Sequence, residues 1–179
     1  MKDAELLKLF HNIGKLKTTV RAGWLRCGVP DPESVAEHAF RAAFMAMIYG
    51  EILKLDTCKL LKMALLHDLA EAKIGDITPH DGLTIEEKRS LEEAAVKELL
   101  NKIPNGAEYI ALWLEYDQQK STEAKVLKNL DKLEMALQAC EYQQTFPEKD
   151  LSEFLKDVEK QLNIDKVREI FKMIKKIEL

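Results

Sequence analysis

The chain has 179 residues, the length of one domain, and is long enough to bury a sizeable core. Charged residues make up 32% and apolar residues 46%, a balance that excludes a disordered chain. The formal net charge of -4 argues against wholesale binding to a nucleic-acid polymer or to an anionic membrane.

Helical periodicity runs through almost the whole chain, and glycine (7) and proline (5) are scarce. Residues 3–16 predict an amphipathic helix with Leu6, Leu9, Phe10 and Ile13 on one side, and a break follows around Gly23, Gly28 and Pro30. Ser34 with Glu37 fits a capping box that opens a helix over about 34–54. Asp56 or Thr57 caps the next, over about 58–74, which Gly75 ends before the irregular loop GDITPHDG. Thr84 with Glu87 is a second capping box, for a helix to about Ile103, and Pro104, Asn105 and Gly106 punctuate. Helices over 107–119 and, capped by Ser121 or Thr122, to about Thr145 come next. Beyond Pro147, two amphipathic helices are expected near 150–162 and 165–177. No stretch alternates as a strand does, and there is no internal repeat or linker. The expectation is one all-α domain over 1–179.

The cysteines Cys27, Cys58 and Cys140 are far apart and form no CxxC pair, so neither a disulfide framework nor a zinc ribbon is indicated. They suit a reducing cytoplasm. The segment MKDAELLKLF is too acidic and mixed for a signal peptide, and no apolar run approaches the ~20 residues of a membrane span. A cytoplasmic protein is expected.

The residues that can carry chemistry begin with His67-Asp68-Leu69-Ala70-Glu71. On one helix, His67 and Glu71 share a face and Asp68 sits beside them, which gathers an imidazole and two carboxylates around one point. Apolar Met63-Ala64-Leu65-Leu66 before them implies partial burial, which is costly for charges unless they are paired or bind a metal. His38 lies on an apolar helix face, where a lone His is more often a core residue. Asp131 interrupts the apolar pattern Val126-Leu127-Leu130-Leu133, although Lys128 and Lys132 nearby also allow a solvent-facing position. Taken together, two His and two Asp from three helices can surround one Mn, Fe, Co, Ni, Zn or Mg ion and leave positions for water and substrate. Asp76 just beyond Gly75 can orient a water, bind a sugar hydroxyl or join Glu71 around a second metal. Between Glu5 and Asp31 there is no acid, but there are Lys8, Lys15, Lys17, Arg21 and Arg26, a local positive field suited to a small anion or simply to a solvated face.

His38, then His67-Asp68, then a distant Asp131 resembles the H…HD…D signature of HD-domain phosphohydrolases. The likeness extends to the 5′-deoxynucleotidase branch through RAGW at 21–24, PESVAEHAFR at 32–41, LLHDLAEAKIGDITPHDGLT at 65–84, LWLEYD at 112–117 and LDKLEMALQACEY at 130–142. It spans roughly residues 5–145. The resemblance implies an all-α HD-domain helical bundle, a homodimer and metal-dependent release of phosphate from deoxynucleoside 5′-monophosphates. It implies His38, His67, Asp68 and Asp131 as ligands of a divalent ion, Glu71 as the catalytic carboxylate and Asp76 as the substrate-side aspartate. Glu71, Asp76 and the Ile77 carbonyl are then candidates for a second metal. Arg21 and Trp24 map onto the Arg-aromatic pair that favours deoxyribose; here two residues separate them, as in the eukaryotic-like branch. With Thr78 they are the candidate substrate contacts. His80 matches the pattern without an assigned role, and His11 reads as structural. Other readings are a phosphodiesterase or alarmone hydrolase on the same scaffold, a non-catalytic metal- and nucleotide-binding module, or a structural bundle, which leaves the clustered His and Asp unexplained.

Overall fold

In a computed structural model of the chain, which describes residues 3–176, helices begin where side chains can take up free N–H groups. Ser34 and Thr84 close full capping boxes with Glu37 and Glu87, and Asp56 and Ser121 accept from Lys59 and Ala124. The helices are α1 (Asp3–Gly14), α2 (Ala22–Arg26), α3 (Val35–Ile52), α4 (Thr57–Leu66), α5 (Glu71–Ile74), α6 (Ile85–Leu100), α7 (Gly106–Asp117), α8 (Thr122–Thr145), α9 (Ser152–Gln161) and α10 (Asp165–Ile174), with a 3-10 turn at Lys15–Lys17. Among the described residues the only extended pairing is an isolated antiparallel bridge between Val20 and Ser34. The all-α expectation is borne out. The expected end of the last helix at 177 lies outside the described residues.

Two expectations change. The break after residue 16 contains the short helix α2. The single helix over 58–74 is two, α4 and α5, with tight turns between them: Leu69 N–H donates to the Leu66 carbonyl and Glu71 N–H to that of Asp68. The cause is local. The His67 ring Nδ1 donates to the Ala64 carbonyl at 2.7 Å and takes the acceptor that the next helical turn would use. Gly75, at φ 77°, stops α5 in the left-handed region as its position suggested.

The long helix α8 is the axis of the bundle and touches α3, α4, α7, α9 and α10. The main core lies around it: Ala46, Leu60, Met63, Leu127, Leu130 and Leu133, closed at one end by Val167, Phe171 and Ile174 of α10. The helices α3 and α4 approach closely at Gly50, where a Cβ would lie 2.6 Å from Thr57 Oγ1. The side chain of Asn129 ties the last two helices to α8. Its Oδ1 accepts from the Asn163 and Ile164 N–H groups at 2.8 and 3.1 Å, and its Nδ2 donates to Asn163 Oδ1 and the Lys125 carbonyl. A second core joins α1, α6 and α7 through Leu9, Val96, Leu99 and Trp113. A third holds Trp24 against Val29, Ala139 and Leu151. The metal-ligand candidates lie on α3, on α8 and at the end of α4.

Candidate metal centre

The capping box at Ser34 sets the start of α3 and places His38 in its second turn, fully buried. The end of α4 supplies His67 and Asp68, and α8 supplies Asp131, which is 4% exposed rather than solvent-facing. Three elements thus bring four side chains to one place. His67 Nε2 and His38 Nε2 are 3.3 Å apart. Asp68 Oδ2 is 3.2 Å from His67 Nε2 and 3.5 Å from His38 Nε2, and Asp131 Oδ1 is 3.4 Å from His38 Nε2. The ligand atoms of His38, His67 and Asp68 lie within 4.8 Å of one another and can hold a metal ion.

The chemistry of these donors fits a cation. Each imidazole is committed through Nδ1, His67 to the Ala64 carbonyl and His38 to the Glu134 carboxylate at 2.5 Å. Both Nε2 lone pairs are left facing each other, with two carboxylates alongside, so the centre calls for positive charge. Without a metal a proton must serve. Burial and Arg21 pull the His38 pKa down, but Asp131 and Glu134 outweigh them and raise it to about 9. Burial works against the charge on Asp68, yet His67, Arg21 and His38 hold its carboxyl far below the usual carboxylate range. Lys132, Lys128 and His38 do the same for buried Asp131.

Glu71 is 6% exposed, and its Oε2 is buried with no hydrogen-bond partner. Burial, reinforced by Asp68 and Asp76, pushes its carboxyl up to about 10. The Arg21 guanidinium lies 3.5 Å from Asp68 Oδ2 and 4.0 Å from Asp76 Oδ1, and these neighbours hold it firmly charged despite burial. Asp76 Oδ2 caps α2 by accepting from Ala22 N–H at 2.7 Å. Arg21 and Asp76 therefore share one edge of the centre.

Other candidates sit differently. The Ile77 carbonyl accepts from Lys88 Nζ at 2.6 Å, so a side-chain ammonium already satisfies the oxygen considered for a second metal. Thr78 bonds to Asp81 in the exposed loop, at 2.6 Å from its N–H and 2.8 Å from its hydroxyl. Trp24 is 2% exposed, stacks near Phe154 at 4.3 Å and donates from Nε1 to Glu33 Oε1 at 3.0 Å. Its ring is core, and its polar link toward the site runs through Glu33. His80 and His11 are exposed.

Sequence reasoning missed several partners. The Tyr116 ring stands edge-on to His67 at 5.7 Å between centroids, and Lys128 and Lys132, read in sequence as allowing a solvent-facing Asp131, instead pair with its buried Oδ2 at 3.1 and 3.5 Å. Glu134 lies fully buried one turn beyond Asp131. A carboxylate inside the apolar run Leu133-Glu134-Met135-Ala136-Leu137 was the available signal.

An all-α bundle in which two His and two Asp from three elements converge is the arrangement expected of the HD domain. The model of the HD domain family matches residues 13–171, and the chain belongs to that family. Among curated relatives, the 5′-deoxynucleotidase HDDC2 of Dictyostelium discoideum is 47% identical over 146 residues, 76% of this chain and 77% of that protein. The Homo sapiens protein of the same name is 43% identical over 141 residues, 77% of this chain and 68% of that one. Among solved structures, a conserved hypothetical protein from Pyrococcus furiosus superposes with a TM-score of 0.81 at 39% identity, covering 96% of this chain and 99% of that one.

Proposed function

We propose that this protein is a 5′-deoxynucleotidase, a metal-dependent phosphohydrolase that releases phosphate from deoxyribonucleoside 5′-monophosphates. The observation that carries the reading is the pair of imidazole Nε2 lone pairs facing each other at 3.3 Å beside Asp68 and Asp131, with an unpartnered Glu71 oxygen nearby. The names of the relatives supply the substrate class. His38, His67, Asp68 and Asp131 would hold one divalent ion, from among Co, Mn, Mg, Zn, Ni and Fe. When bound, such an ion polarises a phosphate oxygen and lowers the pKa of a water. The remaining chemistry belongs to the protein. Beside a bound cation the Glu71 carboxyl gives up the proton that burial otherwise keeps on it. The ionised Glu71, whose Oε2 has no other partner, then orients the attacking water and accepts its proton. The water oxygen bonds to phosphorus, the bond from phosphorus to the 5′ oxygen breaks, and that oxygen takes up a proton. Arg21 clamps phosphate oxygens with charge-assisted bonds, and Asp76 holds Arg21 at the edge of the site.

One ion is favoured over two, because Asp76 is engaged by Ala22 N–H and Ile77 by Lys88. Selection for deoxyribose by Trp24 would run through Glu33, with Thr78 contributing from the loop. The three free cysteines suit the cytoplasm. Exposed Phe40, Phe44 and Ile48 make an apolar stripe on α3 that suits a homodimer. Among the described residues no helix is long and apolar enough to cross a membrane.

The decisive experiment strips the protein with chelator, restores single divalent metals and measures phosphate release from deoxy- and ribonucleoside 5′-monophosphates. Metal-restored turnover, stronger on the deoxy set, is expected. Equal turnover on both sets would remove the sugar selection. No turnover by a folded, metal-loaded protein would overturn the nucleotidase reading in favour of a phosphodiester substrate or a binding module.

A further inference from the structure

Glu134 is a fully buried carboxylate that none of the chemistry above uses. An ionised group in that position is costly unless its partners hold it closely. Its Oε2 accepts from His38 Nδ1 at 2.5 Å and its Oε1 from Arg41 Nε at 2.8 Å. Burial alone would raise its carboxyl; the bonds from His38 and Arg41 outweigh that and keep it ionised. Arg41 is anchored in turn on α8, donating to both oxygens of Glu141 at 2.8 Å and to Gln138 Oε1 at 2.6 Å.

The spacing explains the construction. His38 and Arg41 are three apart on α3, and Asp131 and Glu134 are three apart on α8, so each pair shares a helix face. Two rungs therefore cross between the helices. The inner one joins His38 to Asp131, the outer one joins Arg41 to Glu134, and the bond from His38 to Glu134 ties the two together. The ligand atoms of Glu33, His38 and Glu134 also lie within 4.8 Å of one another, as a second cation site would require. That site is already satisfied. Arg41 occupies Glu134, Trp24 Nε1 occupies Glu33 Oε1, and the His38 nitrogen on that side carries a proton donated to Glu134.

We propose that Glu134 is a positioning residue for the metal centre: held by Arg41, it accepts the His38 Nδ1–H and locks the ring in the tautomer and orientation whose Nε2 lone pair faces the ion. The inference rests on the metal reading above. An imidazole backed by a carboxylate is a stronger ligand than one backed by a neutral carbonyl, and its ring is fixed in rotation. His67 has only the Ala64 carbonyl behind it, so His38 is the more strongly supported of the two.

The test is a Co²⁺ titration of the full-length, metal-free protein, read by visible absorption, for wild type, Glu134→Gln and Arg41→Gln, with a metal-free melting curve for each. In Glu134→Gln the amide must turn its NH₂ toward either the His38 or the Arg41 donor. Co²⁺ binding is expected to weaken by about 10–100-fold. Arg41→Gln, at a side chain 30% exposed, removes only the outer anchor and is expected to weaken binding less, in the same direction. It carries the test should Glu134→Gln fail to fold. Unchanged Co²⁺ affinity in the folded variants, with only a lower melting temperature, would overturn the proposal and leave Glu134 a structural ion-pair member. A wild-type protein that binds no Co²⁺ would overturn the metal reading itself, and this inference with it.

Discussion

The metal centre and the rim beside it are built in opposite ways. The centre draws His38, His67 and Asp131 from α3, α4 and α8, buries them, and ties the Nδ1 of each ring while the two Nε2 atoms face each other. The rim, from Arg21 through Asp76 to Asp81, consists of the five-residue helix α2 and an irregular loop held by charge. Arg21 lies near Asp68 and Asp76, Arg26 is paired with Asp81, and Thr78 is bonded to Asp81. Packed helices fix donors to fractions of an ångström, whereas a charged loop can follow its ligand. The difference suits an ion that needs fixed geometry and a nucleotide whose sugar and base vary.

If the division holds, damage to the centre should act on metal and rate, and damage to the rim on substrate affinity. Asp68→Ala should have the largest effect, a loss of more than ~100-fold in activity and of Co²⁺ binding, with the helical circular-dichroism signal retained. Near-normal turnover of this variant would remove the centre from the reaction. Glu71→Gln should lower kcat by roughly 10²–10⁴-fold and spare Co²⁺ affinity, as expected of a proton acceptor rather than a ligand.

The same variant has a signature in the metal-free protein. A carboxyl raised to about 10 by burial and by Asp68 and Asp76 stabilises the fold while protonated. That contribution is complete below the ordinary value of 4.5 and is lost as pH rises toward 10. Metal-free Glu71→Gln should therefore show a flatter decline of Tm from pH 5 to 9 than wild type; parallel declines would show that Glu71 is not held in its neutral form. At the rim, Arg21→Ala should cost about 1.5–3 kcal/mol of binding to the phosphate, read mainly as a raised KM. A pure loss of kcat would move Arg21 from the rim to the reacting atoms. The smallest effect should come far from both regions. Asn129→Ala leaves the Asn163 and Ile164 N–H groups without their acceptor and should cost about 1–3 kcal/mol in denaturant unfolding, with kcat unchanged.

Much of this molecule was legible along the chain because the physics involved is local. Ser34 with Glu37 and Thr84 with Glu87 start helices by satisfying N–H groups three residues away, and both capping boxes form as read. The family was legible as a resemblance, carried by the motif stretches around His38, His67-Asp68 and Asp131, and the HD domain model matches residues 13–171. Other features depended on groups distant in sequence. Trp24 belongs to the core because Tyr142 and Phe154, more than a hundred residues on, pack against it. Ile77 lost its free carbonyl to Lys88 on the next helix. Glu134 was one more polar residue on α8 until α3 brought His38 and Arg41 to it. Sequence by itself determined most of the helices, the capping boxes and the residue types that can bind a metal, because those follow from contacts within a turn or two. Only the tertiary structure decided which donors stay free, because a buried lone pair is committed by whatever neighbour the packing brings within hydrogen-bond reach.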